Sequence, residues 1–379
     1  SKPAQRKAME KALVKVRSEF SKEYPIVIGG EEIRTNEKFN SFNPSKPSQS
    51  VGVFQKANVD LANKAVEAAA AKFEEWKWTE PKKRAEYLFK AAKLMRNRKH
   101  EFSAVMVYEV GKTWPEADAD TAEAIDFLEF YGREMLRLSG SQPVTKIPTE
   151  KSELHYVPLG VGVVVPPWNF ALAILAGMTS AAVVAGNTVV LKPSSDSPLT
   201  GWKYFSLMRE VGVPAGVINF VTGPGGVVGD TMVTHPKTRF VSFTGSKEVG
   251  IHISELAAKV QPGQKWLKRV VAEMGGKDSI VIDDQTDLDA AAQATVASAF
   301  GFQGQKCSAA SRAIVVDKVY DKFVNLVKEK VRAIKVGPSD EPLNYMGPVV
   351  NRGARDKIIA YGEKGLREGG RLVAGGGRV

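Results

Sequence analysis

"VGVVVPPWNFALAILAGMTSAAVVAGNTVVLKP", Val161–Pro193, decides the fold class. It opens on a run of valines that reads as a buried strand over residues 161–167, closed by Pro166 and Pro167. An apolar helix follows and ends at Gly186, and a second apolar strand is predicted over residues 187–193. Apolar strands alternating with helices imply a mainly parallel sheet covered on both faces. The alternation continues. "SPLTGWKYFSLMREVG" reads as a helix stopped at Gly212, and "GVINFVTG" (216–223) and "RFVSFTG" (239–245) as strands. "SIVIDD" (279–284) and "RAIVVDK" (312–318) complete the strand set. Ligands of such α/β sheets bind beyond the carboxyl ends of the strands.

The first 135 or so residues read differently. Helical periodicity runs over residues 2–20, 58–76, 82–97, 101–110 and 116–138, with short strands near 25–28 and 51–54. In the 82–97 helix Leu88, Ala91, Ala92 and Met95 form the apolar stripe. "EADADTAEAIDFLEF" is expected to be a helix with a solvated acidic face. Residues 139–159 are polar and β-prone without helical period, an excursion expected to form a two-stranded arm.

Composition narrows the function classes. The chain has 379 residues, 43% hydrophobic and 25% charged, ordinary for a globular protein. No apolar run is long enough to span a bilayer, and "SKPAQRKAMEKALVKVRSEF" lacks the apolar core of a signal peptide. The net charge of +11 is interspersed with acidic residues and no nucleic-acid motif accompanies it, so it suits an anionic small molecule or solubility. The four histidines lack ligand spacing, and no metal site is expected. A single cysteine fits a reducing compartment.

That cysteine, Cys307, sits in "FGFQGQKCSAASR". Glycines and polar residues around it suit an exposed turn, which leaves two readings: a buried filler or a nucleophile. Other segments supply groups a nucleophile needs. Trp168 and Asn169 follow the prolines on a loop, and an Asn amide can hold a developing oxyanion. Lys192 ends the next strand, where a cation can meet ribose hydroxyls or phosphate. Gly223, Gly225 and Gly229 give G-x-G-x-x-x-G, and Gly245 is followed by Ser246 at an expected helix N-cap. Two strand–glycine–helix units in one sheet suit a dinucleotide, and without G-K-[ST] a P-loop is excluded. Glu273 precedes two glycines and a strand, either as a general base or as a loop carboxylate.

The ordered set "PWNF", "KPS", "FTGS", "EMGGK" and "GQKC" strongly resembles the NAD(P)-dependent aldehyde dehydrogenase superfamily. Segments such as "VQPGQKWLKRVVAEMGGKDSIVID" and "SAFGFQGQKCSAASR" are most similar to its 1-pyrroline-5-carboxylate dehydrogenase branch. The resemblance implies a Rossmann-type NAD(P)-binding domain over 1–138 and 160–272, a projecting oligomerisation arm over 139–159 and a catalytic α/β domain over 273–379. It implies that Cys307 attacks the aldehyde to give a thiohemiacetal and then a thioester. Asn169 and the Cys307 N–H would hold the oxyanion, and Glu273, 34 residues before Cys307, would activate water. Trp168, Lys192, Ser195, Gly225, Gly229, Phe243, Gly245 and Ser246 would hold the cofactor. Ser308, Glu123 and Phe170 would meet the substrate.

Ser195 stands where strictly NAD-preferring relatives carry a glutamate, so NADP would also fit. The implied activity is oxidation of L-glutamate γ-semialdehyde to glutamate in proline catabolism, by a homo-oligomer in the cytoplasm, or in the mitochondrial matrix of a eukaryote. The alternatives are another aldehyde substrate, or a cofactor-binding protein without turnover. Relatives of the family continue past the last motif here with an "EIFGP" segment and the subunit-joining strand, so the catalytic domain is expected to be incomplete.

Overall fold

The computed structural model describes residues 3–377. The chain begins with α1 (Pro3–Arg17), β1 (Glu23–Tyr24), β2 (Ile26–Ile28), β3 (Glu31–Ile33), β4 (Lys38–Asn43) and β5 (Lys46–Gln55). Four helices follow: α2 (Val59–Trp76), α3 (Pro81–Asn97), α4 (Lys99–Val110) and α5 (Trp114–Leu138). The alternating part comprises β6 (Val161–Val165), α6 (Ala173–Val184), β7 (Thr188–Leu191), α7 (Pro198–Glu210), β8 (Ile218–Phe220), α8 (Asp230–Thr234), β9 (Thr238–Thr244), α9 (Lys247–Ala258) and β10 (Arg269–Glu273). Beyond it lie β11 (Asp278–Ile282), α10 (Leu288–Phe300), β12 (Ala310–Val315), α11 (Tyr320–Arg332) and α12 (Arg352–Arg367).

Seven strands form the central sheet in the order β10-β9-β6-β7-β8-β2-β3. β10 to β8 are parallel neighbours, while β2 runs antiparallel to both β8 and β3. Side chains alternate across it, as strand geometry demands. Val164, Val189 and Leu191 enter one buried cluster with α3–α7; Val163, Val190 and Val241 enter another with α2, α8 and α9. Helical stripes close these faces: Met9, Ala12, Leu13 and Val16 of α1, and Leu88, Ala91, Ala92 and Met95 of α3, recur at i, i+3, i+4, i+7. Gly162 lets β6 and β9 pack tightly, since a Cβ there would lie 2.2 Å from the Phe240 ring.

The expected helices and strands are found with small shifts at their ends; Lys2, in the first predicted helix, lies outside the described residues. Three expectations need correction. Residues 141–160 form no strand ladder and are mostly exposed, so the arm is not two-stranded here; an isolated two-strand ribbon has too little to pack on. Glu273 does not sit in a loop before a strand but ends one, β10. The acidic face of α5 is not wholly solvated: Asp120 is buried and pairs with Lys112 at 2.8 Å. The strands β3 and β4 were not legible either, because their side chains are largely polar and exposed.

Candidate active site

Strand register aligns the ends of the central strands. Val165 stands opposite Phe243, and Thr244 opposite Glu273; Lys192 N donates to the Val164 carbonyl at 2.9 Å. The loops leaving β6, β7, β9 and β10 therefore share one rim, and a cavity of about 820 Å³ opens there. It brings together Trp168, Asn169, Lys192, Ser195, Gly225, Phe243, Gly245, Ser246 and Cys307. These groups come from five separate stretches of the sequence.

Cys307 is exposed, which rules out the buried-filler reading. The segment before it is wound tightly: Phe302, Gln303 and Gly304 take φ of +47°, +57° and +69°. Left-handed backbone costs a non-glycine residue about 1–2 kcal/mol, so surrounding contacts must hold this turn. Gln303 Nε2 donates to the Gly111 carbonyl at 3.1 Å and to the Pro348 carbonyl. Gln305 Oε1 accepts from Val350 N at 3.1 Å, and Lys306 pairs with Glu116 at 3.2 Å. Asn169 Nδ2 donates to the Gln305 carbonyl at 2.9 Å, which ties the amide to the cysteine loop. A carboxamide nitrogen has two hydrogens, so one remains for an oxyanion.

On the cofactor side, Lys192 is 5% exposed and has no carboxylate partner among the described residues. Among the described residues its one hydrogen bond is a long one, 3.5 Å, to the Pro193 carbonyl. Burial holds its pKa down at about 8. A buried ammonium without a counter-charge is costly unless polar oxygens meet it. Gly225 opens a short π-helical turn (Gly225–Gly229) that continues into α8, and a Cβ on Gly225 would meet nothing within 4 Å. Ser246 caps α9 as expected, its Oγ accepting from Val249 N at 3.3 Å. Gly245 is needed for packing, because a Cβ there would come 2.6 Å from the Phe243 ring.

Five predicted residues stand apart from the cavity wall. Glu273 is exposed on the outward face of β10, one residue before Met274, which does line the wall. Ser308 is exposed beyond Cys307, and Gly229 is buried in the helical turn. Phe170 faces the Lys112 ammonium at 4.4 Å. Glu123 is half-buried on α5, and burial raises its pKa. The sequence reading also missed Gln303, Gln305, Met274 and Lys357, all on the wall. Gln305 sits within the quoted "GQKC" and could have been found there; Lys357 of α12 carried no signal.

The family model described as "Aldehyde dehydrogenase family" matches residues 32–379. A 1-pyrroline-5-carboxylate dehydrogenase of Geobacillus sp. (strain WCH70) is 55% identical over 373 residues, covering 98% of this chain and 72% of that protein. The solved 1-pyrroline-5-carboxylate dehydrogenase from Thermus with bound NAD superposes with a TM-score of 0.97 at 47% identity, over 100% of this chain and 73% of that one. Proline utilization A from Bdellovibrio bacteriovorus follows at TM-score 0.94 and 44% identity, over 96% of this chain and 38% of that one. With a family model matched over residues 32–379 and a relative 55% identical across 98% of this chain, the protein belongs to the aldehyde dehydrogenase family.

Proposed function

We propose that this chain oxidises L-glutamate γ-semialdehyde, the open form of 1-pyrroline-5-carboxylate, to L-glutamate with NAD⁺, a step of proline catabolism. The observation that carries the reading is the meeting of Cys307 and Asn169 in one cavity with Lys192. The relatives named above supply the substrate and the cofactor.

The residues present fit a dinucleotide. Lys192, Ser195, Ser246 and Gly225 would hold its ribose and phosphates, with Trp168, Phe243 and Gly245 shaping the site. Gly229 sets the turn that carries Gly225. The exposed Ser195 leaves room for a 2′-phosphate, so NADP⁺ fits as well.

The chain's own chemistry starts at Cys307. As the thiolate, its sulfur forms a bond to the aldehyde carbon while the carbonyl π electrons move onto oxygen, and Asn169 with the Cys307 N–H holds the charge. NAD⁺ held there would supply the hydride acceptor that conversion of the thiohemiacetal to a thioester requires. Glu273 then takes a proton from water as the water oxygen bonds to the thioester carbon, and the C–S bond breaks to release the acid and the thiolate. The Glu273 carboxylate must turn from the outer face of β10 to do so. Ser308, Glu123 and Phe170 would recognise the substrate.

The same reading divides the chain into a cofactor domain over 1–138 and 160–272, an arm over 139–159 and a catalytic domain over 273–379. Support comes from the separate pairing of β11 with β12. Exposed Leu154, Tyr156 and Val157 suit the arm to a second copy in a homo-oligomer. Among the described residues no helix is long and apolar enough to cross a membrane.

The test is NADH formation from glutamate semialdehyde, with Cys307→Ala as control and simple aliphatic aldehydes alongside. Turnover with glutamate semialdehyde that vanishes in the variant, while NAD⁺ binding persists, is expected. Turnover retained in Cys307→Ala would sink the reading.

A further inference from the structure

Lys112 lies at 1% exposure just after the left-handed Gly111 (φ +73°) that ends α4. Its Nζ donates to Asp120 Oδ2 at 2.8 Å, and Asp120 Oδ1 accepts from Ala173 N, at the start of α6, at 2.6 Å. The ammonium also stands between two aromatic rings, 4.4 Å from the Phe170 centroid and 4.5 Å from that of Phe302. Each ring belongs to a different catalytic loop. Phe170 follows Asn169; Phe302 opens the left-handed turn that leads to Cys307. Trp168 meets Phe302 edge-on at 6.3 Å. The Gly111 carbonyl accepts from Gln303 of the same turn, so one short segment grips that turn twice.

A buried ion pair is a poor way to gain stability, because apolar residues of similar size do as well or better. This one does something apolar residues cannot. A desolvated cation is drawn to two ring faces at once, which fixes the distance between them.

We propose that the buried Lys112–Asp120 pair is a positioning device that clamps the Asn169 loop against the Cys307 loop. It keeps the carboxamide in register with the sulfur and holds the left-handed turn. The kinetic consequence rests on the dehydrogenase reading above; the structural one does not.

The test is the double variant Lys112→Met with Asp120→Asn, which leaves no unpaired charge and keeps an oxygen for Ala173 N. Misplacing a reacting group by about 1 Å can cost about a hundredfold in rate. We therefore expect kcat to fall by about ten- to a hundredfold, with KM and NAD⁺ affinity near wild type. Alkylation of Cys307 by iodoacetamide should stay close to the wild-type rate, since the thiol itself is untouched. Amide hydrogen exchange over residues 301–307 should speed up. Lys112→Arg, which keeps the cation, should restore the exchange protection and most of the rate; it also serves if the double variant does not fold. Wild-type kcat in the folded double variant would overturn the proposal, and so would a lost kcat with unchanged exchange at 301–307. If the wild-type chain does not oxidise glutamate semialdehyde, the functional reading fails, and the exchange measurement still decides the clamp.

Discussion

The seven-stranded sheet and the two-stranded sheet β11–β12 are built from similar sequence, apolar strands flanked by helices, yet they are buried very differently. β6 and β7 are almost wholly covered, whereas in β12 only the end residues are even half-buried. Val281 and Ile314 of the small sheet are 68% and 54% exposed. Its buried cluster comprises Ile282, Ala292 and Phe323, against dozens of residues around the large sheet. No residue of α12 is buried. Within these 379 residues most of the buried apolar area lies around the large sheet. The thick part fixes Asn169 and Lys192, and Cys307 precedes β12 of the thin part. Cys307 is positioned by contacts reaching back across the seam: Gln303 to Gly111, Gln305 to Asn169, Lys306 to Glu116.

If stability lives in the thick part, the largest loss should follow a cut there. Trp76 is 1% exposed and its Nε1 donates to the Val183 carbonyl at 3.2 Å. Trp76→Ala should cost about 3–5 kcal/mol in denaturant unfolding, the usual range for a buried aromatic. A loss below about 1 kcal/mol would break the comparison.

Next comes the seam. Asn169→Ala removes both the proposed oxyanion donor and the tie to Gln305, and should lower kcat by about 10²–10³-fold with little change in melting temperature. An unchanged kcat would remove Asn169 from the chemistry.

Gly304→Ala tests the turn itself. At φ +69° the substitution should cost about 1–2 kcal/mol, and a Cβ there would approach the Ala299 carbonyl at 2.9 Å. Activity should fall more than stability, because the strain lies beside the nucleophile. Equal stability of the two proteins would mean the loop is not held as described.

Lys192 gives a pH test. Its pKa drops from an ordinary 10.5 to about 8 through burial, so the folded protein binds fewer protons than the unfolded chain between those values. Stability without cofactor should rise with pH across that window as the penalty of the buried charge disappears. Cofactor affinity should move the other way, weakening above pH 8 as the ammonium is lost. Both trends should vanish in Lys192→Met.

The smallest effect belongs to the thin part. Ile314→Ser should change stability by less than about 0.5 kcal/mol, as at most exposed positions.

Much of this was legible in the sequence where local rules and burial agree. The period of Leu88, Ala91, Ala92 and Met95 gave α3, and the valines of β6 announced a covered strand. Ser246 was readable as a cap because capping is local. β10 was not, since its apolar run is only the three residues 270–272 and Arg269, Val271 and Glu273 alternate outward. The clamp was invisible for a different reason. Asp120 looks like any acid on a surface helix until Lys112 is found beside it in the interior.

The sequence by itself determined the α/β class, the order of its strongly apolar strands and the chemical types available at the strand ends, because periodicity and turn residues act over a few positions. Only the tertiary structure decided that Asn169 meets the loop of Cys307, 136 residues from Asn169 to Gln305, and that Lys192 is buried with no carboxylate partner among the described residues. It also decided that Glu273 faces outward while the Phe170 and Phe302 rings flank one ammonium. Strand register and the exclusion of water set those relations, and neither is written in any short stretch of the chain.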